Sequence, residues 1–332
     1  MNRHVAKGPK MSDAARDISI GLTKEPKKHS SLVDLITRLV REKPLGALGA
    51  AVMLAMVFVA LFANALAPYG VHDFDLAARL SPASAQHPLG TDSLGRDELS
   101  LIILGARVSV IVGLAGTATA TAVSTILGLL SGFIGGKFDL VAQRFVDAWM
   151  SFPAMFVMLT VMSLLGQGLW QVILVIGILF GISGSRVVRS AVIGIKENAY
   201  VQAAVVVGSP TARTLLRHIL PNIMAPIIVL FTVTIGAAIL AEASISFLGY
   251  GIPPPTPTWG GMLSGSGREF LLQAPWLAVW PGVCLAIVVY GINMLGDAVR
   301  DILDPRLRGG VGRYGGMRQK KMRKSRQQAR VV

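Results

Sequence analysis

KENAYVQAAVVVGSPTARTLLRHILP, residues Lys196–Pro221, lies between two long uncharged runs and carries most of the charge in the middle third of the chain. Ala203 and Ala204 are followed by Gly208, and a basic segment from Arg213 to His218 leads to Leu220 and Pro221, where the next apolar run begins. Gly208-Ser209-Pro210 interrupts any regular element. The stretch is therefore expected to form a short helix, a corner, and a second helix that ends before Pro221. Small side chains let another surface approach the first helix closely, and the glycine and proline fix the corner. This pattern predicts a docking element on a membrane protein.

Composition supports the membrane. The 332 residues are 52% hydrophobic and 15% charged, against roughly a quarter charged in soluble domains, and the mean hydropathy is +0.59. The single cysteine, Cys284, sits in an apolar run, which excludes an internal disulfide or a cysteine metal cluster and leaves a small lipid- or core-facing residue.

Residues 1–43 form a polar, basic segment, expected to be partly disordered apart from an amphipathic turn around Leu32–Val40. Uncharged runs then predict six spans at about 45–66, 108–134, 148–166, 168–185, 223–248 and 276–296, together a membrane domain over 44–300. The first is about 33 Å long as a helix. Ala65-Leu66-Ala67 resembles a signal-peptidase site, but the apolar run and the basic leader are both too long, so the segment reads as a retained first span. Leu99–Leu104 is placed along the interface, and Arg107 marks the edge of the second span. Gly166-Gln167-Gly168 divides the long third run by a tight turn. Gly128 and Gly132, then Gly177 and Gly181, have the spacing of small-residue packing faces. A loop over 186–222 joins spans four and five, a proline- and glycine-rich loop runs from 249 to 274, and 301–332 is a basic tail. Trp276 and Trp280 stand at the start of the sixth span, as an aromatic belt would place them.

Six spans put the N-terminus, the 134–146 loop, the 186–222 loop and the tail on one side. That side holds all of the 32 lysines and arginines except Arg79, Arg96, Arg107 and Arg268. By the positive-inside rule it is cytoplasmic, with both termini. Topology thus accounts for the net charge of +14 without nucleic acid, and the tail is left as a segment that could bind anionic membrane lipids.

Catalytic chemistry is missing from the pattern. SGFIGGKF at 131–138 is the nearest approach to an ATP-binding loop, yet it begins with serine and lacks a hydroxyl residue after Lys137. No zinc-ligand spacing or carboxylate pair stands out. Glu242 is the one acidic residue well along a span; counted from Ile223 it lies about 29 Å up the helix, and reads as a helix-end carboxylate reaching water or a neighbour. Asp147, three residues after Arg144, reads as a charge at the start of the third span, held by the helix dipole and an i, i+3 pair.

Lys196–Pro221 resembles the cytoplasmic loop motif of ABC-importer permeases: EAA, three residues, G, nine residues, I-x-L-P. Gln202, Ala203, Ala204, Gly208, Leu220 and Pro221 fall at that spacing, with Gln202 in place of the glutamate and His218 in place of the isoleucine. Arg217-His218-Ile219-Leu220-Pro221-Asn222 has the form usual in the peptide branch. HPLGTDSLGRDELS at 87–100, GARVS at 105–109, EASISFLGYGIPPPTPTWGGML at 242–263 and LGDAVRDILDPRLRG at 295–309 resemble the C-type permease of dipeptide, oligopeptide and nickel importers.

The resemblance implies an all-α type I importer permease in a bacterial inner membrane. It implies a homologous B-type permease as heterodimer partner, two ABC ATPase subunits and a periplasmic or lipid-anchored substrate-binding protein. The chain itself would be a transport subunit rather than an enzyme and bind no cofactor, ATP and Mg being used by the ATPases. Gln202, Ala203, Ala204, Gly208, Arg217, His218, Leu220 and Pro221 would form the ATPase-coupling loop. Glu242, Pro254, Thr256 and Trp259 are candidates for an outer gate or a binding-protein contact. The rival class, an ATPase-independent secondary transporter or channel, would prefer ionisable residues inside the spans and repeated halves.

Overall fold

A computed structural model describes residue 37 and residues 39–303; nearly all of the basic N-terminal segment and of the tail lie outside them. Among the described residues the regular structure is helical, with a lone bridge between Thr91 and Asp97. The principal helices are α1 (Pro44–Leu61), α2 (Glu98–Ile111), α3 (Thr117–Ile134), α4 (Gly136–Met150), α5 (Ala154–Leu165), α6 (Leu169–Lys196), α7 (Ala199–Val206), α8 (Met224–Phe247), α9 (Trp259–Ser264) and α10 (Trp276–Leu303). Among the described residues five continuous helices are long and apolar enough to cross a membrane, and the bent pair of α4 with α5, counted as one span, brings the number to six.

The most extensive packing joins α3 to α6. Lipid is as apolar as leucine, so burial alone does not hold two helices together there; close van der Waals fit does. The two glycine pairs supply that fit against each other's helices. A methyl group on Gly128 would come 2.6 Å from Val188 Cβ, and one on Gly132 2.9 Å from Val192 Cβ. On the facing helix, Gly177 would meet Thr119 at 2.5 Å and Gly181 would meet Val123 at 2.6 Å. Ser124 Oγ donates to the Gly181 carbonyl at 2.8 Å, so the polar atom inside the seam is satisfied. A second seam joins α1 to α10, closed at its end by Lys43 Nζ on Asp301 Oδ2 at 2.6 Å.

Helices overrun the uncharged runs in several places, each for a local reason. The helix that carries the second span begins at Glu98 and passes through Leu99–Leu104 and Arg107, joining α2 to α3 by a wide π-type turn over Val112–Gly116. Asp97 starts it, accepting from Ser100 N at 2.8 Å as an N-cap. Arg107 is tolerated inside because its Nε donates to the Ala60 carbonyl at 3.1 Å, at the end of α1. Likewise α6 continues to Lys196 and α10 to Leu303.

The loop expected over 134–146 is helical from Gly136, in a helix that runs on to Met150 inside the expected third span, and α4 meets α5 at a bend of 89°. Pro153 has no N–H to donate, and its ψ of 123° starts α5 afresh. The 12 residues of α5 reach about 18 Å, short of the roughly 30 Å of hydrocarbon. Asp147 therefore lies in the last turn of α4, not at a helix start, and pairs with Arg186 across the helices as well as with Arg144 at 3.7 Å. Gly166, at φ +82°, makes the tight turn into α6, where Gln167 Nε2 donates to the Gly249 carbonyl at 2.5 Å.

Candidate functional site

Two polar assemblies sit at opposite ends of the bundle. The first is built around α7. Val201 is buried in a cluster with Leu129, Val188, Val192, Leu215, Ile219 and Ile223, which holds α7 against α3, α6 and the start of α8. The other side of the element is bare: Val206 is 86% and Val207 87% exposed. Gln202 and Ala203 are exposed with them, and Gln202 Nε2 turns back to the Glu197 carbonyl at 3.2 Å. Gly208 turns the corner at φ +86° with no atom within 4 Å of where a Cβ would stand.

The segment after the corner departs from expectation. It does not end before Pro221 but runs from Thr211 into α8 as one 37-residue helical element. Pro221 lacks an N–H and its ring crowds the carbonyl a turn earlier. The backbone answers by widening to a π-type turn over Thr214–Ile219 and tightening to 3-10 over Leu220–Ile223. Asn222 Nδ2 caps the freed His218 carbonyl at 2.7 Å. Arg217 and Pro221 are exposed, while His218 and Leu220 are half-buried. The corner is thus joined to the fifth span by continuous helical backbone.

Sequence reasoning missed the brace beside α7. Asp139 of α4 takes Arg189 of α6 in a two-point ion pair, 2.6 Å to Nε and 2.5 Å to Nη2, and Lys196 Nζ donates to the Phe133 carbonyl at 2.5 Å. Such forked pairs are among the stronger polar contacts. Asp139→Ala is expected to raise amide exchange across Gly136–Met150 by about tenfold, the equivalent of 1.4 kcal/mol; unchanged exchange would show that α4 is held by packing alone. The signal was available only in three dimensions, since 50 residues separate the partners.

The second assembly gathers HPLGTDSLGRDELS, the end of α8 and the proline loop. Asp92 holds Arg96 at 2.7 Å, and Asp97 lies 3.1 Å from His87 Nδ1. Of the residues singled out for the outer end, Pro254 and Thr256 are exposed. Trp259 is not. It is 3% exposed and its Nε1 donates to the Ile102 carbonyl at 3.1 Å, so it anchors the loop to α2 instead of offering a surface. Glu242 likewise does not reach water: it is fully buried, with Oε1 accepting from Ser246 Oγ at 2.7 Å. The neighbour is one turn along its own helix, and the packed start of α9, where Gly260 backs onto Ala243, closes the way out.

The motifs thus fall at the two ends of a helical membrane bundle, and comparison with known proteins follows them. Residues 124–309, more than half of the chain, match the family of binding-protein-dependent transport system inner membrane components. The chain belongs to that family. Dipeptide transport system permease protein of Alkalihalophilus pseudofirmus is 37% identical over 269 residues, 81% of this chain and 88% of the relative. The oligopeptide transport system permease protein of Bacillus subtilis is 35% identical over 268 residues, 81% and 88% of the two chains. The glutathione transport system permease protein of Escherichia coli is 36% identical over 273 residues, 82% and 90%. The chain is therefore an ABC-importer permease, a multi-pass component of a bacterial inner membrane within a transport system that depends on a binding protein. A secondary transporter or channel is not favoured.

Proposed function

We propose that this permease lines half of an alternating path for peptides, driven by ATPases that dock on the α7 corner. The single observation that carries the reading is the bare corner itself: exposed Val206, Val207 and Gly208, welded through Pro221 to α8. The relatives named above, permeases of dipeptide, oligopeptide and glutathione transport systems, support peptides as cargo. In this reading the end with α7 faces the cytosol, as its lysines and arginines favour. Gln202, Ala203, Ala204 and Gly208 form the contact, Arg217 and His218 flank it, and Leu220 and Pro221 transmit it. ATP and Mg belong to two ATPase subunits, and a homologous B-type permease supplies the other half of the path. Exposed Pro254 and Thr256 face the binding protein, while Trp259 and Glu242 stiffen the loop behind them.

Extraction in mild detergent tests this. Mass spectrometry of the purified complex is expected to find this chain with a second permease and an ABC ATPase pair. Recovery of the chain alone from membranes that import peptide would overturn the proposal.

A further inference from the structure

A cavity of about 290 Å³ opens between the start of α2 and the proline loop, at the end of the bundle remote from Gly208. Glu98 lines it, yet the residue is only 2% exposed, and its Oε1 is enclosed without a hydrogen-bond partner. The carboxylates around it are differently placed. Asp92 takes Arg96 Nε at 2.8 Å and Nη2 at 2.7 Å, and gives its other oxygen to Leu94 N and Arg96 N. Asp97 is spent on Ser100 and His87. Arg96 is the one cation on the cavity wall, and its fork is committed to Asp92. Pro253, Pro254, Pro255 and Pro257 also line the cavity and have no N–H to give, while two donors on the wall are already used, Gln167 Nε2 on the Gly249 carbonyl and Ser246 Oγ on Glu242 Oε1. The wall thus holds an enclosed carboxylate oxygen, Glu98 Oε1, whose loss of water no hydrogen bond offsets.

We propose that this cavity is a subsite for the primary ammonium group of the transported solute, with Glu98 as its counter-charge. An ammonium carries three donors and no acceptor, which suits an unpaired carboxylate oxygen on a wall whose cation, Arg96, is already committed to Asp92. The inference rests on the peptide reading above and deepens it, because an unblocked peptide carries such a group at its first residue. Glu98 is then a specificity-determining residue: it would favour free amines over blocked ones at the point of entry.

The test uses the complete transporter in proteoliposomes, with its binding protein saturated separately by dialanine and by N-acetyl-dialanine. Initial uptake rates are compared for wild type, Glu98→Gln and Glu98→Asp. The rate ratio of free to blocked peptide is expected to fall about tenfold in Glu98→Gln, the size of one lost charge-assisted hydrogen bond, and to recover in part in Glu98→Asp. A ratio unchanged from wild type overturns the inference. So does an equal fall for both peptides, which would assign Glu98 to folding or to holding a lysine of the binding protein. Wild-type uptake of either peptide keeps the substrate reading intact in both cases. Failure of wild type to import either one overturns that reading and the inference together.

Discussion

Gly208→Arg is expected to abolish ATP-driven uptake, to below about a hundredth of wild type, while the chain still reaches the membrane in near-normal amount. The two halves of that expectation come from the same geometry. At φ +86°, Gly208 stands in open space, with nothing beyond its chain neighbours within 4 Å of an added Cβ. The folding cost is then the strain of a left-handed L-residue, roughly 1–2 kcal/mol, set against about 5–15 kcal/mol of typical stability. The docking cost is far larger. An arginine at the corner holds off any surface that must approach Val206, Val207 and the backbone between them. Shifting a two-state path from 1:99 to 99:1 takes about 5.5 kcal/mol of differential binding, and a partner that cannot seat delivers none of it. Gly208→Ala separates the two terms, since it carries the strain without the bulk, and it should retain most uptake. Immunoblots of membranes alongside transport rates check both. Normal uptake by Gly208→Arg at normal abundance would remove the corner from the mechanism.

That corner was legible in the sequence because glycine followed by serine and proline has few backbone alternatives. The same holds for Gly166-Gln167-Gly168, and for the glycine pairs at 128/132 and 177/181, whose spacing announced a seam. What the sequence hid were the places where a charge or a proline is accommodated by something distant. Arg107 looked like a span's edge because its acceptor, the Ala60 carbonyl, is 47 residues away. Pro221 looked like a helix end because a π-type turn that absorbs a proline leaves no mark in composition. The break at Pro153 lies inside the uncharged run expected as the third span, and the helices on its two sides meet at 89°. Glu98 passed unnoticed among Asp92, Arg96 and Asp97, since nothing in a string of charges tells which one lacks a partner. Glu242 and Trp259 were assigned to the surface of their segments, and the close approach of Gly260 to Ala243, which buries both, depends on the third dimension.

The seam carries the second large expectation. Gly181→Leu should lower the steady-state level of the chain in membranes several-fold. Its Cβ would stand 2.6 Å from Val123 Cβ and 3.0 Å from the Ala120 carbonyl, so α3 and α6 must part along their length, and the bond from Ser124 Oγ to the Gly181 carbonyl goes with them. Overpacking of this kind costs about 1–3 kcal/mol, and losses of that size change abundance several-fold through quality control. Helix propensity pulls the other way, because leucine is favoured over glycine in a helix by close to 1 kcal/mol. Gly194→Leu isolates that opposing term. It lies on the same helix, 13 residues on, with nothing within 4 Å of its added Cβ, and its level should match or exceed wild type. Quantitative immunoblotting of the two variants in parallel therefore reads packing with propensity held constant. Equal levels for both would mean that α3 and α6 are held by something other than the closeness of their backbones.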